Sequence, residues 1–371
     1  MQKRKILNVA MIGYGFMGRA HSNAFRQVNS FFESPYELRL NTICGRDETR
    51  LRKMAGEWGW ERSITNWQTV VDRPEIDVVD ICTPNHLHEP IVLAAARAGK
   101  IVLCEKPLAN SVAQAERMAE AAQHVPNLVW FNYRRVPAVR FARQLVEEGR
   151  LGRVYHYRGL YLQNWGIHPQ DPVAWRFHPE QAGSGVMGDL LSHSLDLAVW
   201  LNGPIRKLCS QVHTLAEGRK VDDAVTVLAE FTNGSIGTFE ASRFATGNQN
   251  RNCFEINGSD GAVEFNLERM NHLQFNDLRH EPETQGRREI LVTGPGHPYV
   301  DRFWPPGHII GYEHTFIATL YDFLVAIAKG DRFRPDFRDG VDVQRLLEAV
   351  SASNRRSTWV DLDQTAMLEP A

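Results

Sequence analysis

Residues 7–18 read LNVAMIGYGFMG, an apolar run that ends in a cluster of glycines. The run is typical of a buried strand, and the glycines allow a tight turn and the close approach of a backbone to a pyrophosphate. The start of the following helix offers free N–H groups and the positive end of its dipole to an anion. The sequence therefore predicts a dinucleotide-binding turn, formed by Gly13, Gly15, Phe16, Met17 and Gly18.

The rest of the first third of the chain repeats this order of apolar strand and amphipathic helix. Nearly continuous apolar runs are typical of parallel strands covered on both faces, and helical patterns at 89–98 and 112–122 separate them. The expected strands are residues 7–12, 38–44, 78–82, 101–104 and 128–131. We predict an α/β Rossmann domain over residues 1–130.

Beyond residue 150 the pattern changes to alternating polar and apolar residues. Alternation is typical of antiparallel strands with one solvated face, and Asn233-Gly234 is a hairpin signal. The expected strands are residues 153–163, 205–214, 224–231, 235–243, 252–256 and 262–265, the expected helices are 186–201, 312–328 and 341–353, and 280–307 are expected to be loops. We predict an α+β domain over residues 131–371, with helices on one face of a large, mainly antiparallel open sheet.

Composition narrows the class of protein. In the 371 residues, 42 Lys and Arg nearly balance 44 Asp and Glu, so the net charge of -2 leaves no positive field for nucleic acid. No apolar stretch approaches the ~20 residues of a membrane span, and the short apolar run after Lys5 leads into glycines instead of a signal-peptide cleavage site. The odd number of cysteines, five, favours reduced thiols and a cytoplasmic protein.

The end of the second expected strand bears on the choice of cofactor. Residues 44–47 read CGRD, at the position where folds of this kind bind the adenosine ribose. An acid here bonds the 2′-hydroxyl of NAD, whereas Arg46 suits a 2′-phosphate or stacks on adenine. Asp47 either serves the ribose or caps the helix that follows. The pattern favours NAD and leaves NADP open.

Two more segments follow expected strands, at the sheet edge where open parallel sheets bind ligands. They are residues 83–88, TPNHLH, and residues 104–108, CEKPL. An ammonium at Lys106, near a bound nicotinamide, can lower the pKa of a substrate hydroxyl or orient it. The histidines of the first segment lack metal spacing, as does every other Cys, His or acidic group in the sequence, so we predict no metal.

Asp189 and His193 are four residues apart in an expected helix, so their side chains share one face. A histidine there can accept a proton, and a carboxylate can orient it. The same spacing fits a weak ion pair on a helix surface, which on spacing alone is the commoner explanation.

Taken together and in this order, the glycine turn, the Glu105-Lys106-Pro107 turn and the Asp189 to His193 helix resemble the three motifs of the Gfo/Idh/MocA oxidoreductase family. The resemblance covers essentially the whole chain. It implies that Lys106, Asp189 and His193 are catalytic, and that the C-terminal sheet forms a homo-oligomer, either a dimer or a tetramer. The cofactor-binding residues that it implies beyond the glycine turn are Arg46, Thr83, Asn85, His88, Glu105, Lys106, Asn132 and Arg176.

Three further segments, 132–135, 161–165 and 175–177, resemble the branch of this family that contains levoglucosan dehydrogenases and glycoside 3-dehydrogenases. The resemblance implies NAD-dependent oxidation of a C3 hydroxyl on a pyranose sugar or glycoside. Aromatic faces and bidentate polar groups commonly hold such rings. The implied substrate-binding residues are Tyr133, Gln163, Trp165, Arg176, His193 and His314.

The leading prediction from the sequence is therefore an NAD(P)-dependent sugar dehydrogenase. A first alternative uses the same residues in a redox-cycling glycosidase, similar to NAD-dependent sulfoquinovosidases, in which oxidation, elimination, hydration and reduction leave no net redox change. A second alternative is a catalytically silent cofactor-binding protein. The presence of Lys106, Asp189 and His193 together argues against the silent protein.

Overall fold

A computed structural model describes residues 4–168 and 174–362. The strands are β1 Lys5–Ile12, β2 Tyr36–Cys44, β3 Arg62–Ile64, β4 Val78–Ile81, β5 Ile101–Cys104, β6 Asn127–Val129, β7 Val154–Leu162, β8 Ile205–His213, β9 Ala224–Phe231, β10 Ile236–Ser242, β11 Arg251–Gly258, β12 Gly261–Asn266, β13 His272–Asp277, β14 Arg288–Leu291 and β15 Val360–Asp361. The α-helices are α1 Phe16–Phe31, α2 Glu48–Trp58, α3 Trp67–Val71, α4 His88–Arg97, α5 Val112–Ala121, α6 Pro137–Glu147, α7 Pro179–Ala182, α8 Ser192–Asn202, α9 Val300–Phe303, α10 Tyr312–Lys329 and α11 Phe337–Arg356. None of the helices in these two ranges is both long enough and apolar enough to cross a membrane.

The chain divides into two compact units. The first contains Met1–Asn132 and Gly311–Val341, and the second contains Tyr133–Ile310 and Asp342–Ala371. The first unit holds a six-stranded parallel sheet in the order β3-β2-β1-β4-β5-β6. This order reverses between β1 and β4, which is the switch point where doubly wound folds bind dinucleotides. The predicted Rossmann fold is confirmed.

The second unit holds a nine-stranded sheet in the order β14-β13-β12-β11-β7-β10-β9-β8-β15. All neighbours are antiparallel except β7 and β10, which pair in parallel. Along β9 and β10 buried and exposed residues alternate, so one face packs and the other meets solvent. The predicted α+β class with a mainly antiparallel sheet is confirmed.

The helix at 312–328 corrects the predicted domain of residues 131–371. It is α10 in the structure, and it belongs to the first unit because its aromatic side chains pack on α1. The Tyr312 ring stacks on Phe16 with centroids 6.1 Å apart, and Tyr321 stacks on Phe32 at 4.2 Å. Amphipathic periodicity locates a helix but carries no information about which unit buries its apolar face.

Two local predictions are also corrected. Residues 280–307, expected to be loops, contain β14 and α9. The edge strand β14 has mostly exposed residues, so it lacks the apolar alternation that marks a half-buried strand. The expected helix 186–201 begins with a π-helical turn at Met187–Leu191 before α8 starts.

Candidate active site

The glycine turn after β1 has the shape that a pyrophosphate needs. Gly13 has a φ of 109°, and a Cβ on it would lie 2.4 Å from the Cys82 carbonyl oxygen. A Cβ on Gly18 would lie 2.6 Å from the Gly13 carbonyl oxygen, whereas one on Gly15 would meet no atom within 4 Å. Gly15 precedes α1, so the open side of the turn leads to the free N–H groups of a long helix. These residues fit the phosphates of NAD.

At the end of β2 the structure gives Asp47 the role of a helix cap. Its Oδ1 accepts a hydrogen bond of 3.0 Å from the Arg50 main-chain N–H at the start of α2. Arg46 is exposed beside it. The Tyr14 ring covers Gly45, where any Cβ would lie 2.0 Å from a ring carbon. Of the two roles considered for Asp47, capping is therefore the one visible in the fold.

His88, predicted to bind the cofactor, instead contacts main-chain carbonyls of the loops after β4 and β5. The ring is fully buried, with Nε2 lying 3.0 Å from the Thr83 carbonyl oxygen and Nδ1 lying 3.2 Å from those of Pro107 and Leu108. Burial lowers the pKa of His88, although the three carbonyls oppose this shift. A ring enclosed in this way has no nitrogen to offer a ligand. Thr83 is half-buried and Asn85 is buried in the same loop.

Glu105 and Lys106 follow β5 in the first unit. The Lys106 side chain is half-buried, whereas the Glu105 carboxylate is directed inward and accepts a hydrogen bond of 3.1 Å from the Lys106 main-chain N–H. The predicted cofactor contact of Glu105 is therefore corrected, because its Oε1 lies 3.0 Å from the buried ring of His21.

Asn132 and His314 also lie in the first unit. The Asn132 amide donates a hydrogen bond of 2.8 Å to the Thr315 hydroxyl on α10. The His314 Nδ1 accepts a hydrogen bond of 3.1 Å from the Gly311 main-chain N–H, and burial lowers the pKa of this histidine. His314, which is predicted to bind substrate, lies in the first unit, and Gln163 and Trp165 lie in the second.

Asp189 and His193 lie in the second unit, where the chain passes from the π-helical turn into α8. Asp222 anchors the start of this turn, because its carboxylate accepts hydrogen bonds from the main-chain N–H groups of Gly185 and Met187 at 2.6 and 2.7 Å. Gly185 is required there, since a Cβ would lie 1.8 Å from the Asp222 carbonyl oxygen. π-Helical turns occur frequently at functional sites.

Arg243, which the sequence analysis missed, pairs with Asp189. Its Nη2 donates a hydrogen bond of 2.9 Å to Asp189 Oδ2, and its side chain is only 1% exposed. Arg176 Nε lies 3.6 Å from the same oxygen. The Arg243 guanidinium also lies 4.7 Å from the centre of the Trp165 ring. Two cations therefore flank the Asp189 carboxylate. The only signal for Arg243 was its position as the last residue of the expected alternating strand 235–243.

A continuous chain of contacts leads away from His193. Its ring packs on Tyr133, with centroids 4.5 Å apart, and the Tyr133 and Tyr161 hydroxyls are 3.0 Å apart. Tyr161 then donates to Asn250 Oδ1 at 2.8 Å, and the Gln163 amide donates to the same oxygen at 2.8 Å. The last link is a hydrogen bond from the Trp165 indole N–H to Gln163 Oε1. Asn250 was also missed, because it sits in a polar loop without a recognisable pattern.

The cluster nearest to a metal site in the described part of the chain is His21, Asp80 and Cys82. Their potential ligand atoms lie within 4.8 Å of one another. However, His21 Nδ1 is 2.9 Å from Asp80 Oδ2 and 3.1 Å from Cys82 Sγ. Ligands of a tetrahedral zinc ion are about 3.3 Å apart or more, because each bond is at least ~2.0 Å. These are hydrogen-bond distances, so we assign no metal here.

The first unit thus has the fold and glycine turn of an NAD-dependent oxidoreductase, and comparison with known proteins agrees. Residues 7–133 match an oxidoreductase family with an NAD-binding Rossmann fold, and residues 139–264 match the GFO/IDH/MocA C-terminal domain. A levoglucosan dehydrogenase from Pseudarthrobacter phenanthrenivorans is 39% identical over 385 aligned residues, covering 96% of this chain and 98% of that protein. The chain belongs to the Gfo/Idh/MocA family.

Solved structures give the same assignment. An oxidoreductase domain protein from Kribbella flavida superposes with a TM-score of 0.94 at 45% identity, covering 97% of this chain and 100% of that one. A levoglucosan dehydrogenase in complex with NADH and levoglucosan also has a TM-score of 0.94, at 39% identity and the same coverage.

Proposed function

We propose that this NAD-dependent sugar dehydrogenase oxidises the C3 hydroxyl of a pyranose sugar or glycoside. The observation that carries the proposal is the chain of polar and aromatic side chains from His193 to Trp165 in the second unit. Hydroxyl, amide and indole groups beside aromatic faces are the chemistry that recognises a sugar ring. The similarity to an enzyme crystallised with NADH and levoglucosan supports the same substrate class.

In this proposal His193 accepts the proton of the reacting hydroxyl. Asp189 favours the resulting imidazolium, and Arg243 fixes the position of the Asp189 carboxylate. Lys106 orients the hydroxyl through its ammonium group. Bound NAD supplies the acceptor for the carbinol hydride, so the product is a 3-keto sugar. Gly13, Gly15 and the start of α1 hold the phosphates of the cofactor.

The substrate-binding residues in the second unit have distinct roles. Gln163 and Asn250 supply amide groups for the sugar hydroxyls, and the Trp165 ring supplies an apolar face. Arg176, which lies 3.6 Å from Asp189 Oδ2, adds a second cation beside the reacting group. His314 stays in the proposed set as a residue of the first unit, as Lys106 does.

The experiment measures reduced cofactor by absorbance, with NAD and then NADP, against pyranosides that include levoglucosan and a nitrophenyl glycoside. We expect NAD reduction without release of the aglycone, and a product with a ketone at C3 by carbon NMR. A ketone at another carbon would refute the position, and aglycone release without net reduced cofactor would refute the dehydrogenase.

His193→Ala tests the assigned base. We expect turnover to fall by about 100-fold or more, because general bases contribute that much, while the affinity for NADH is retained. His124→Ala is a matched control, since this histidine is exposed in the first unit and lies outside the proposed set. Equal turnover in wild type and His193→Ala would remove the role of His193.

We also propose that the protein is a cytoplasmic homo-oligomer that assembles through the second unit's sheet. Leu228 on β9 and Ile236 on β10 project from its open face, 48% and 51% exposed. Leu228 pairs with Thr238, which is two residues from Ile236 on the same face of β10. The Leu228 and Ile236 side chains are therefore diagonal neighbours on that face. Five unpaired thiols suit a reducing compartment.

A further inference from the structure

A buried polar cluster in the first unit lies next to the Lys106 main chain. His21 on α1 sits between two carboxylates, those of Asp80 on β4 and of Glu105 directly after β5. Its Nδ1 lies 2.9 Å from Asp80 Oδ2, and its Nε2 lies 3.0 Å from Glu105 Oε1. The His21 and Asp80 side chains are fully buried and that of Glu105 is 7% exposed, so water cannot screen the cluster.

The positions of the two carboxylates favour a charged ring. The His21 contact with Asp80 is a hydrogen bond, whereas Nε2 and Glu105 Oε1 lie at ion-pair distance without hydrogen-bond geometry. A neutral imidazole would place a lone pair beside one carboxylate, whereas an imidazolium is attracted to both. The other donors to Asp80 are already in place, since the Trp130 indole donates to Oδ1 at 2.9 Å and the Cys82 thiol donates to Oδ2 at 3.3 Å.

The surrounding groups agree with a charged His21. Burial by itself lowers the pKa of His21, but the polar groups that face the ring, among them the Asp80 carboxylate, raise it well above the ordinary value. Burial raises the pKa of the Cys82 thiol, and that of Cys104 nearby, so both stay neutral. The rings packed on His21 are those of Trp130 and Phe316, which bring no charge, and His88 interacts electrostatically with Glu105.

The cluster connects this charge to Lys106. Glu105 Oε1 meets the His21 ring, while its Oε2 accepts the hydrogen bond of the Lys106 main-chain N–H at 3.1 Å. We propose that His21 is a positioning residue, which as a buried imidazolium between Asp80 and Glu105 fixes the Glu105 carboxylate and thereby the main chain of Lys106. The proposal rests on the role of Lys106 in the proposed function.

His21→Gln and Glu105→Gln test the connection. Each removes a charge with little change in volume, and we expect kcat to fall about 10- to 100-fold, because a displacement near 1 Å can have that effect. The NADH dissociation constant should stay within about threefold. The double variant should be no slower than the slower single variant, because both changes break one connection. Multiplying defects would mean that the two residues act separately, which overturns the proposal.

Lys100→Met is the matched control. Lys100 precedes β5, at the opposite end of the strand from Glu105, and its buried ammonium donates to the carbonyls of Arg73 and Ile76 at 2.8 Å each. This variant also loses a buried charge in the first unit. We expect it to unfold at lower urea concentration but to keep the wild-type pH profile of kcat. A profile altered as much as that of His21→Gln would reduce His21 to a structural role.

The pH dependence has a definite sign. Since the pKa of His21 is raised in the folded chain, its stabilisation is fully present below the ordinary value of ~6.5 and is lost as pH rises through the raised pKa. The urea midpoints of wild type and His21→Gln should therefore differ most at low pH and converge at high pH. The alkaline fall of kcat caused by loss of this proton should be absent in His21→Gln. A constant difference between the midpoints at all pH values contradicts a titrating His21.

A direct measurement does not depend on the variants folding. Nitrogen-15 NMR of wild type with labelled histidine, with the His21 signals assigned by their absence in His21→Gln or by contact with the Trp130 indole proton, counts the N–H groups on the ring. Two N–H groups at neutral pH support the proposal, and one overturns it. Lys106→Ala distinguishes failure of the proposed function from failure of the His21 proposal. Normal turnover in this variant refutes the role of Lys106 in the proposed function, and the result on the protonation of His21 is unaffected.

Discussion

Gly13 and Gly15 belong to the same turn but face different constraints. A side chain on Gly13 meets the Cys82 carbonyl oxygen at 2.4 Å in a left-handed conformation, whereas one on Gly15 meets no protein atom within 4 Å. Gly13→Ala should therefore destabilise the first unit by ~1–3 kcal/mol and weaken NADH binding with it. Gly15→Ala should leave the thermal midpoint unchanged and raise the NADH dissociation constant about tenfold or more, because only a bound phosphate competes for its space.

Thermal unfolding and NADH fluorescence titration measure both quantities in the same preparations. Gly56→Ala is a control, since this glycine lies in α2 and a Cβ on it also meets open space. Gly15→Ala with wild-type affinity would show that the phosphates do not pass this glycine.

At the scale of elements, one ion pair joins β10 to the π-helical turn. Arg243 follows β10 directly, and it donates a hydrogen bond to Asp189, a proposed catalytic residue in the π-helical turn. Arg243→Gln should lower kcat about 10- to 100-fold, because Asp189 loses its main positioning group, and should leave the affinity for NADH nearly unchanged. Steady-state kinetics with parallel NADH titration measure this.

Arg219→Gln is the control for Arg243→Gln. Arg219 is also a largely buried arginine, it stacks on Phe177 at 4.1 Å, and it pairs with Asp223 instead of Asp189. Both variants should lose stability, but only Arg243→Gln should lose most of its turnover. Equal losses of turnover would mean that general packing, and not the position of Asp189, explains the effect.

At the scale of the whole molecule, the proposed assembly uses the open face of the nine-stranded sheet. Leu228→Glu places a charge among apolar side chains that a second copy would bury, so the variant should dissociate into chains of 42.2 kDa. Light scattering measures the mass. Ile309→Glu is the control, because Ile309 is 63% exposed and lies outside the sheet. An unchanged oligomer in Leu228→Glu would place the interface elsewhere.

The sequence could predict elements whose signals are local. The strands from β1 to β6 other than β3, and the main strands of the second sheet, follow from apolar runs and alternation, because burial on one or both faces leaves that pattern in the chain. β3 has three residues and β14 lies at an edge, so neither carries the pattern. The helix α10 was located correctly but assigned to the wrong unit, because an apolar face does not specify its partner.

The residues of the site also fall into two groups, those with a local sequence signal and those without one. Motif positions such as Gly13, Lys106 and His193 could be found because they stand at fixed places relative to strands and helices. The contacts between residues distant in sequence could not: Arg243 reaches Asp189 across 54 residues, and His21 reaches Asp80 across 59. Which side chains meet depends on strand order and on the direction of each side chain, and neither leaves a periodic signal.

The sequence by itself therefore determined the Rossmann domain, the α+β domain and the dinucleotide turn, since periodicity and glycine geometry are properties of short segments. The tertiary structure alone decided that His88 and Glu105 face inward, that His314 joins the first unit, and that Arg243 holds Asp189. The physical reason is that burial and electrostatic pairing are set by three-dimensional neighbours, which only the folded chain brings together.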